Sequence, residues 1–343
     1  MTRKPDIKSL TLSGLEELTR EMNWESYRAR QLFSWLWQKD ATGFDAMTNL
    51  GKDRCRQLAD RFRIGKLVQD SVLRDEDGTT KFSWRLDDGA VVESVYIPEP
   101  GRKTVCISTQ VGCGLGCELC YTAKAGLERD LGWHEIAGQV QAVQQRVEDR
   151  VTNVVLMGMG EPFLNYEPVL EAVRAVNSDF GINIGARRIT VSTAGIPDRI
   201  RDYARFPLQS KLAVSLNASD DETRNRLMPI NRTHQLEELM SAVREFTRVK
   251  GKRVTFEYVL LDGINNRRKD IHQLAKLLRD VPCKVNLIPF NRFPDTSLRP
   301  PPPADVERFA KSLYPLLPAV TVRRSRGSAI LAGCGQLAGR INR

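Results

Sequence analysis

The spacing of hydrophobic positions changes twice along the chain of 343 residues, and each change marks a different kind of structure. From residue 13 to 64 the period is helical. Leu15 and Leu18 follow Ser13 at helical spacing, residues 28–37 (Arg-Ala-Arg-Gln-Leu-Phe-Ser-Trp-Leu-Trp) are amphipathic, and 54–62 form a third periodic segment. Together they predict a small helical domain over residues 1–66. Between 72 and 97 the period falls to two, with hairpin turn signals at Asp77-Gly78 and Asp88-Gly89 and with Phe82, Trp84 and Leu86 on one face. This predicts a three-stranded antiparallel β-meander, a connector over residues 67–100. Beyond it, apolar runs at 104–108, 153–157, 188–192, 211–216, 253–260 and 284–288 alternate with helical patterns at 135–147, 167–176, 236–249 and 269–278. Such alternation predicts an α/β fold with a parallel sheet, and right-handed crossovers would curl six units into a partial (β/α)6 barrel over residues 101–293. Active groups are then expected at the C-terminal strand ends. Residues 294–343 add a helix after the proline run 300–303, a strand and a basic tail.

Composition narrows the class. With 41% hydrophobic and 27% charged residues, the chain can bury one large α/β core plus a smaller appended domain. Residues 1–20 contain no apolar signal core and no uncharged apolar run approaches spanning length, so a soluble, cytoplasmic protein is expected. Seven cysteines, three of them clustered, suit a reducing compartment better than a disulfide framework. The net charge of +10 is carried by the ends: 1–66 hold thirteen Lys/Arg against nine Asp/Glu, and 291–343 hold nine against three. Basic ends around a neutral middle predict contact with a polyanion such as nucleic acid. Arg28, Arg30, Arg54, Arg56, Arg61 and Arg63 are candidate phosphate grips, whereas the aromatic residues of the same segment are read as core.

The chemistry centres on Cys113-Gly-Leu-Gly-Cys117-Glu-Leu-Cys120, directly after the first apolar run. Soft thiolates select zinc, copper(I) or iron–sulfur clusters, and three of them from one loop leave a metal position for something else. Zinc would ask for a further ligand pair, and His134, His234 and His272 are isolated in sequence. A [4Fe–4S] cluster with one non-protein ligand is therefore expected on Cys113, Cys117 and Cys120. Gly158-Met-Gly-Glu161-Pro162 follows the second run, where glycines permit close backbone approach and a carboxylate can accept from an ammonium. Ser192, Ser215-Leu216-Asn217 and Asn291 stand at later strand ends, a placement suited to ribose and carboxylate recognition.

The cysteine spacing resembles that of the radical S-adenosylmethionine (SAM) enzymes. Further motifs, in order, resemble one subfamily, the RlmN/Cfr RNA adenine methyltransferases: Tyr27-Arg-Ala-Arg-Gln-Leu-Phe-Ser-Trp-Leu, Glu93-Ser-Val-Tyr-Ile-Pro, Cys106-Ile-Ser-Thr-Gln-Val-Gly-Cys113, Leu227-Met-Pro-Ile-Asn231, Asn286-Leu-Ile-Pro-Phe-Asn291 and Ala332-Gly-Cys334-Gly-Gln-Leu-Ala-Gly339. The resemblance implies a radical SAM barrel that methylates C2 of an adenosine in 23S rRNA and tRNA, with C8 methylation as the alternative. It implies SAM on Gly160, Glu161, Ser192, Ser215, Leu216, Asn217 and Asn291. It implies Cys334 as the thiol that is methylated first, Cys106 as the thiol that resolves it through a transient disulfide, and Glu93 as proton acceptor. A reducing donor such as flavodoxin and a monomeric enzyme complete what it implies. Gly333 and Gly335 flank Cys334 and are read as leaving room for two bulky reactants in turn, while Cys55 and Cys283 are read as structural.

Overall fold

The computed structural model describes residues 3–323 and 325–339. Three amphipathic helices open the chain: α1 (Leu12–Glu21), α2 (Tyr27–Trp37) and α3 (Lys52–Arg61). Thr11 caps α1, its hydroxyl accepting from the Gly14 N–H at 3.1 Å. The apolar stripe buries Leu15, Leu18, Leu32, Leu36 and Leu58. Phe33 and Trp37 pack on Trp133 of the barrel, with centroids 6.5 and 5.2 Å apart, so this aromatic seam is core and joins the helices to the next layer. Trp35 is only half-buried, its indole N–H donating to Asn49.

Strands β1 (Val68–Arg74), β2 (Thr80–Arg85) and β3 (Val91–Glu99) form the antiparallel meander. It is not a separate connector sheet. The free edge of β3 pairs antiparallel with β4 (Arg102–Cys106), Val95 opposite Cys106, so the meander is the flank of one ten-stranded sheet. Two short strands, β5 (Gln110–Gly112) and β6 (Leu127–Asp130), pair with each other. From β4 the large sheet continues in parallel through β7 (Asn153–Leu156), β8 (Ile189–Thr193), β9 (Lys211–Ser215), β10 (Val254–Leu260), β11 (Cys283–Pro289) and β12 (Val320–Val322).

The six expected parallel strands are thus present, with β12 as a short seventh. Helices α4 (Trp133–Gln144), α5 (Tyr166–Asn177), α6 (Pro197–Arg205), α7 (Asp221–Leu227), α8 (Leu236–Lys250), α9 (Arg268–Leu278) and α10 (Pro303–Leu313) cover the sheet. The spacing analysis omits α6 and α7, which are short and charge-rich. It also starts α4 two residues late: the Glu135 carboxylate accepts from the Gly132 N–H at 2.8 Å and draws Trp133 into the first turn.

The proposed phosphate grips divide. Arg28 and Arg54 hold Glu25 at 3.2 and 3.1 Å, and Arg63 is paired with Asp87, so these three are engaged within the protein. Arg30, Arg56 and Arg61 are exposed, Arg56 and Arg61 in surface pairs with Asp53 at 3.2 Å and Glu21 at 3.8 Å and Arg30 over the Phe180 ring. Of the basic tail, Arg324, Arg340 and Arg343 lie outside the described residues.

Candidate active site

The cysteine loop is built on a neck. Beyond β4 the chain is buried through Ile107, Ser108 and Thr109, and β5 and β6 then pair to close residues 113–126 into a loop, with the Cys113 N–H donating to Gly126 O at 2.8 Å. Gly112 has φ +77°, and a Cβ there would lie 1.9 Å from Gly126 O, so only glycine closes the neck. Cys113, Cys117 and Cys120 line one cavity. All three are free thiols. Burial above all pushes them up, Cys113 to about 12, with repulsion from neighbouring thiols adding to it and Arg224 opposing it at Cys117.

The opposite wall is the turn after β7. Glu161 is buried, accepting from the Phe163 N–H at 3.0 Å and the Ala194 N–H at 2.7 Å, while burial raises its pKa. The turn glycines serve protein packing more than ligand approach. A Cβ on Gly160 (φ +96°) would meet Gln110 Cβ at 2.6 Å, and one on Gly158 would meet the Ile107 carbonyl at 2.7 Å. Ser192, Ser215, Asn217 and Asn291 also line this cavity. Asn217 adopts φ +56° and ties β9 to β10, its carbonyl oxygen accepting from the Val259 N–H at 2.9 Å. Leu216 does not reach the cavity: its side chain is fully buried in the core and only its backbone serves the site.

The C-terminal segment closes the third side. Asn291 donates to Cys334 O at 3.2 Å, and Gln336 accepts from the Gly333 N–H at 2.9 Å while donating to Arg292 O at 2.5 Å. A Cβ on Gly333 would lie 2.6 Å from Asn291 Nδ2, and one on Gly335 (φ +80°) would lie 3.0 Å from Leu119 O. These glycines let the segment sit tightly against barrel and cysteine loop, the reverse of leaving room around Cys334. Two bonds complete the latch: Tyr121 N–H to Gly335 O at 2.6 Å and Thr122 Oγ1 to Leu337 O at 2.5 Å.

Cys334 lines this cavity and also a second, deeper one that contains Cys106. No disulfide joins the two thiols here. Burial and the neighbouring Cys334 push Cys106 up to about 12, against the opposing pull of Arg323. Glu93 is not brought to either cavity. It stands behind the segment, 3.5 Å from Lys81 Nζ and accepting from the Ala338 N–H at 2.9 Å, so service as proton acceptor would require that segment to lift away.

Three residues escape the sequence reading. Arg224, fully buried, donates to Leu216 O, Asn231 Oδ1, Ala194 O and Ser215 O at 2.5–3.1 Å, binding the ends of β8 and β9 together. Burial lowers its pKa to about 10, with Cys117 pulling the other way. Glu257 lines both cavities, and its Oε2 is buried without a partner. Arg323, just after β12, faces Cys334, Cys106 and Glu257. The available signals were Arg224 within a short charged helix and Arg323 directly after a Val-Thr-Val run. Replacing Arg224 with methionine removes four hydrogen bonds, of whose acceptors Leu216 O keeps the Ala218 N–H at 2.8 Å, and a loss of about 3–5 kcal/mol in denaturant unfolding is expected.

Comparison with known proteins agrees with this geometry. Residues 107–278 match the profile of the radical SAM superfamily, and residues 6–64 match the ribosomal RNA large subunit methyltransferase N-terminal domain. A dual-specificity RNA methyltransferase RlmN from Pelobacter propionicus is 45% identical over 342 residues, covering 100% of this chain and 98% of the relative. The chain belongs to the RlmN family. The RlmN of Geobacter sulfurreducens is 45% identical over 337 residues, covering 98% of this chain and 93% of its own. A crystal structure of a radical SAM methyltransferase from Sphaerobacter thermophilus superposes with a TM-score of 0.92 at 43% identity, covering 97% and 99% of the two chains. Among the described residues no helix is long and apolar enough to cross a membrane.

Radical SAM membership of an RlmN protein implies a [4Fe–4S] cluster and SAM. The donor set fits. Cys113, Cys117 and Cys120 are free thiols on the wall of one cavity, and in a cluster each thiolate takes its own iron. The partnerless Glu257 Oε2 on the same cavity adds a buried acceptor awaiting a ligand donor.

Proposed function

We propose that this RlmN-family chain methylates C2 of adenosine in RNA, at adenosine 2503 of 23S rRNA and adenosine 37 of tRNA. The observation that carries the reading is the placement of two free thiols, Cys106 and Cys334, on one cavity, with Cys334 also facing the cavity of the three loop cysteines. The RNA substrate is taken from the names of the relatives, which are dual-specificity RNA methyltransferases.

Cys113, Cys117 and Cys120 would hold the cluster, and Gly160, Glu161, Ser192, Ser215, Asn217 and Asn291 would hold SAM. Cluster and SAM together supply a carbon radical, which C2 of adenine demands because that carbon is a poor nucleophile toward a sulfonium methyl group. The protein's own part is positional. Cys334 presents its sulfur as the first methyl acceptor, its segment held by the Asn291 and Gln336 hydrogen bonds; Cys106, at the end of β4, then attacks that sulfur as a thiolate, forming the Cys106–Cys334 disulfide as the carbon–sulfur bond to the base breaks and the freed carbon takes up a proton as the new methyl group. The site lies at the C-terminal strand ends and is closed by protein, so the adenosine must leave its stack to enter. Exposed Arg30, Arg56 and Arg61 offer phosphate contacts on the helical layer.

The test is nucleoside mass spectrometry of unmodified 23S rRNA and tRNA transcripts after incubation with the reconstituted enzyme. The expected product is 2-methyladenosine in both. 8-Methyladenosine alone would replace the C2 assignment with the C8 alternative, and no methyladenosine would remove RNA adenine as the substrate.

A further inference from the structure

The lumen of this barrel is hollow, although (β/α) barrels ordinarily fill theirs with layered branched side chains. A cavity of about 640 Å³ runs inside it. Its cause is readable by strand alternation: inward positions at mid-depth are Thr104, Thr190, Ala213, Thr255, Asn286 and Thr321, small or polar on six strands, with Val155 of β7 the one branched apolar residue among them. Two residues earlier on four of these strands, at the N-terminal mouth, stand Arg102, Lys211, Arg253 and Lys284. Two residues later on β4 lies Cys106, and the cavity continues to Cys334.

The charge of this passage is one-sided. Arg102, Lys211, Lys252, Arg253, Lys284, Arg323 and Arg326 line it, against only Glu99 and Glu257. Glu99 is taken by Arg326 at 3.6 Å. Among the described residues no ion pair engages Arg102, Lys211, Arg253 or Lys284. Burial first, then repulsion from the neighbouring cations, lowers the pKa of Lys211 and Lys284, with Glu257 opposing at Lys284. A ring of unpaired cations around a hollow passage that ends at two thiols is unfavourable for the empty protein. It raises the local concentration of a small anion.

We propose that the lumen is the entry route of a small anionic thiol that reduces the Cys106–Cys334 disulfide from the N-terminal mouth of the barrel. This rests on the proposed function, in which release of the base leaves that disulfide. In the proposed function the base enters at the C-terminal strand ends, where the cysteine loop and the Cys334 segment meet, so reductant and substrate would use opposite ends of the barrel. In the exchange, one incoming thiolate attacks either protein sulfur, breaking the S–S bond and expelling the other as a thiolate. A second thiolate attacks the resulting mixed disulfide. Two electrons pass to the protein, two cysteines take up protons, and the reductant departs as its own disulfide. Arg323, beside both sulfurs, stabilises the thiolate expelled in each step.

The test starts from holoenzyme oxidised anaerobically with diamide, the Cys106–Cys334 bridge being mapped by peptide mass spectrometry. Reduction is then timed with mercaptoethanesulfonate, 2-mercaptoethanol and cysteamine, each rate expressed per thiolate present. The anionic thiol is expected to outpace the cationic one roughly tenfold at low ionic strength. The ratio should collapse toward one at high salt and in the combined Lys211→Gln, Arg253→Gln, Lys284→Gln protein, while Arg20→Gln, exposed on α1, leaves it unchanged. A bridge that forms but is reduced without charge preference, or with a preference surviving the triple substitution, overturns the route and leaves the thiol pair standing. Failure of the bridge to form overturns the thiol pair and the route together.

Discussion

A Cys106→Ala protein is expected to arrest with RNA covalently attached, up to one adduct per chain, in place of repeated turnover. In the proposed function the carbon carried by Cys334 bonds to the adenine ring and bridges protein and RNA, so the methylated base would be freed only when its carbon–sulfur bond breaks. Cys106 is the thiol that would do this. It ends β4 on the lumen wall shared with Cys334, and bonding distance for the pair is about 2 Å. Cys106 holds no metal ligand position and contributes no hydrogen bond to the cysteine loop, so its removal leaves iron loading and Cys334 methylation in place. Nuclease digestion followed by intact-protein mass spectrometry should therefore reveal a nucleotide-sized increment on Cys334. Normal turnover by the alanine protein, without that increment, would take Cys106 out of the mechanism.

Replacing Cys113, Cys117 and Cys120 together by alanine should reduce iron and sulfide after anaerobic reconstitution to background, with the fold kept. Protein contacts also hold the loop. Its neck is the β5–β6 pair, Tyr121 stacks on Phe293 at 5.2 Å, and the Tyr121 and Thr122 bonds reach the C-terminal segment. Circular dichroism should match the parent, and iron analysis should not. The parent should also load iron more readily as pH rises. Burial holds the metal-free thiols protonated, Cys113 to about 12, and binding must expel those protons. Retention of parental iron by the triple variant would place the cluster elsewhere.

The sequence disclosed what depends on period and on unusual local composition. Six parallel strands, the meander and the helical layer follow from spacing, and the cysteine loop from three thiols within eight residues. What remained hidden depends on contacts between distant segments. Strands β5 and β6 span three and four residues, too few for periodicity to register, yet they shape the loop neck. Glu93 and Leu216 matched motifs by position, but a motif does not say which way a side chain turns. The first faces Lys81 and the last-made segment, the second the core. The glycines beside Cys334 looked like space and are close packing, a distinction that only the neighbouring Asn291 and Leu119 atoms reveal. Arg224 drew no notice because its four partners are backbone carbonyls and an amide that sequence does not advertise.

The latch between the cysteine loop and the Cys334 segment is made largely through main-chain atoms: Tyr121 N to Gly335 O, Thr122 Oγ1 to Leu337 O, and the approach of Gly335 to Leu119 O. Main-chain contacts are blind to side-chain identity but register every added or missing peptide unit. Natural variation at this junction is therefore constrained in length before it is constrained in chemistry: point changes at exposed positions are absorbed, whereas a one-residue insertion or deletion in either partner shifts all three contacts at once. Divergence of the two loops can proceed by substitution while their lengths stay locked to each other.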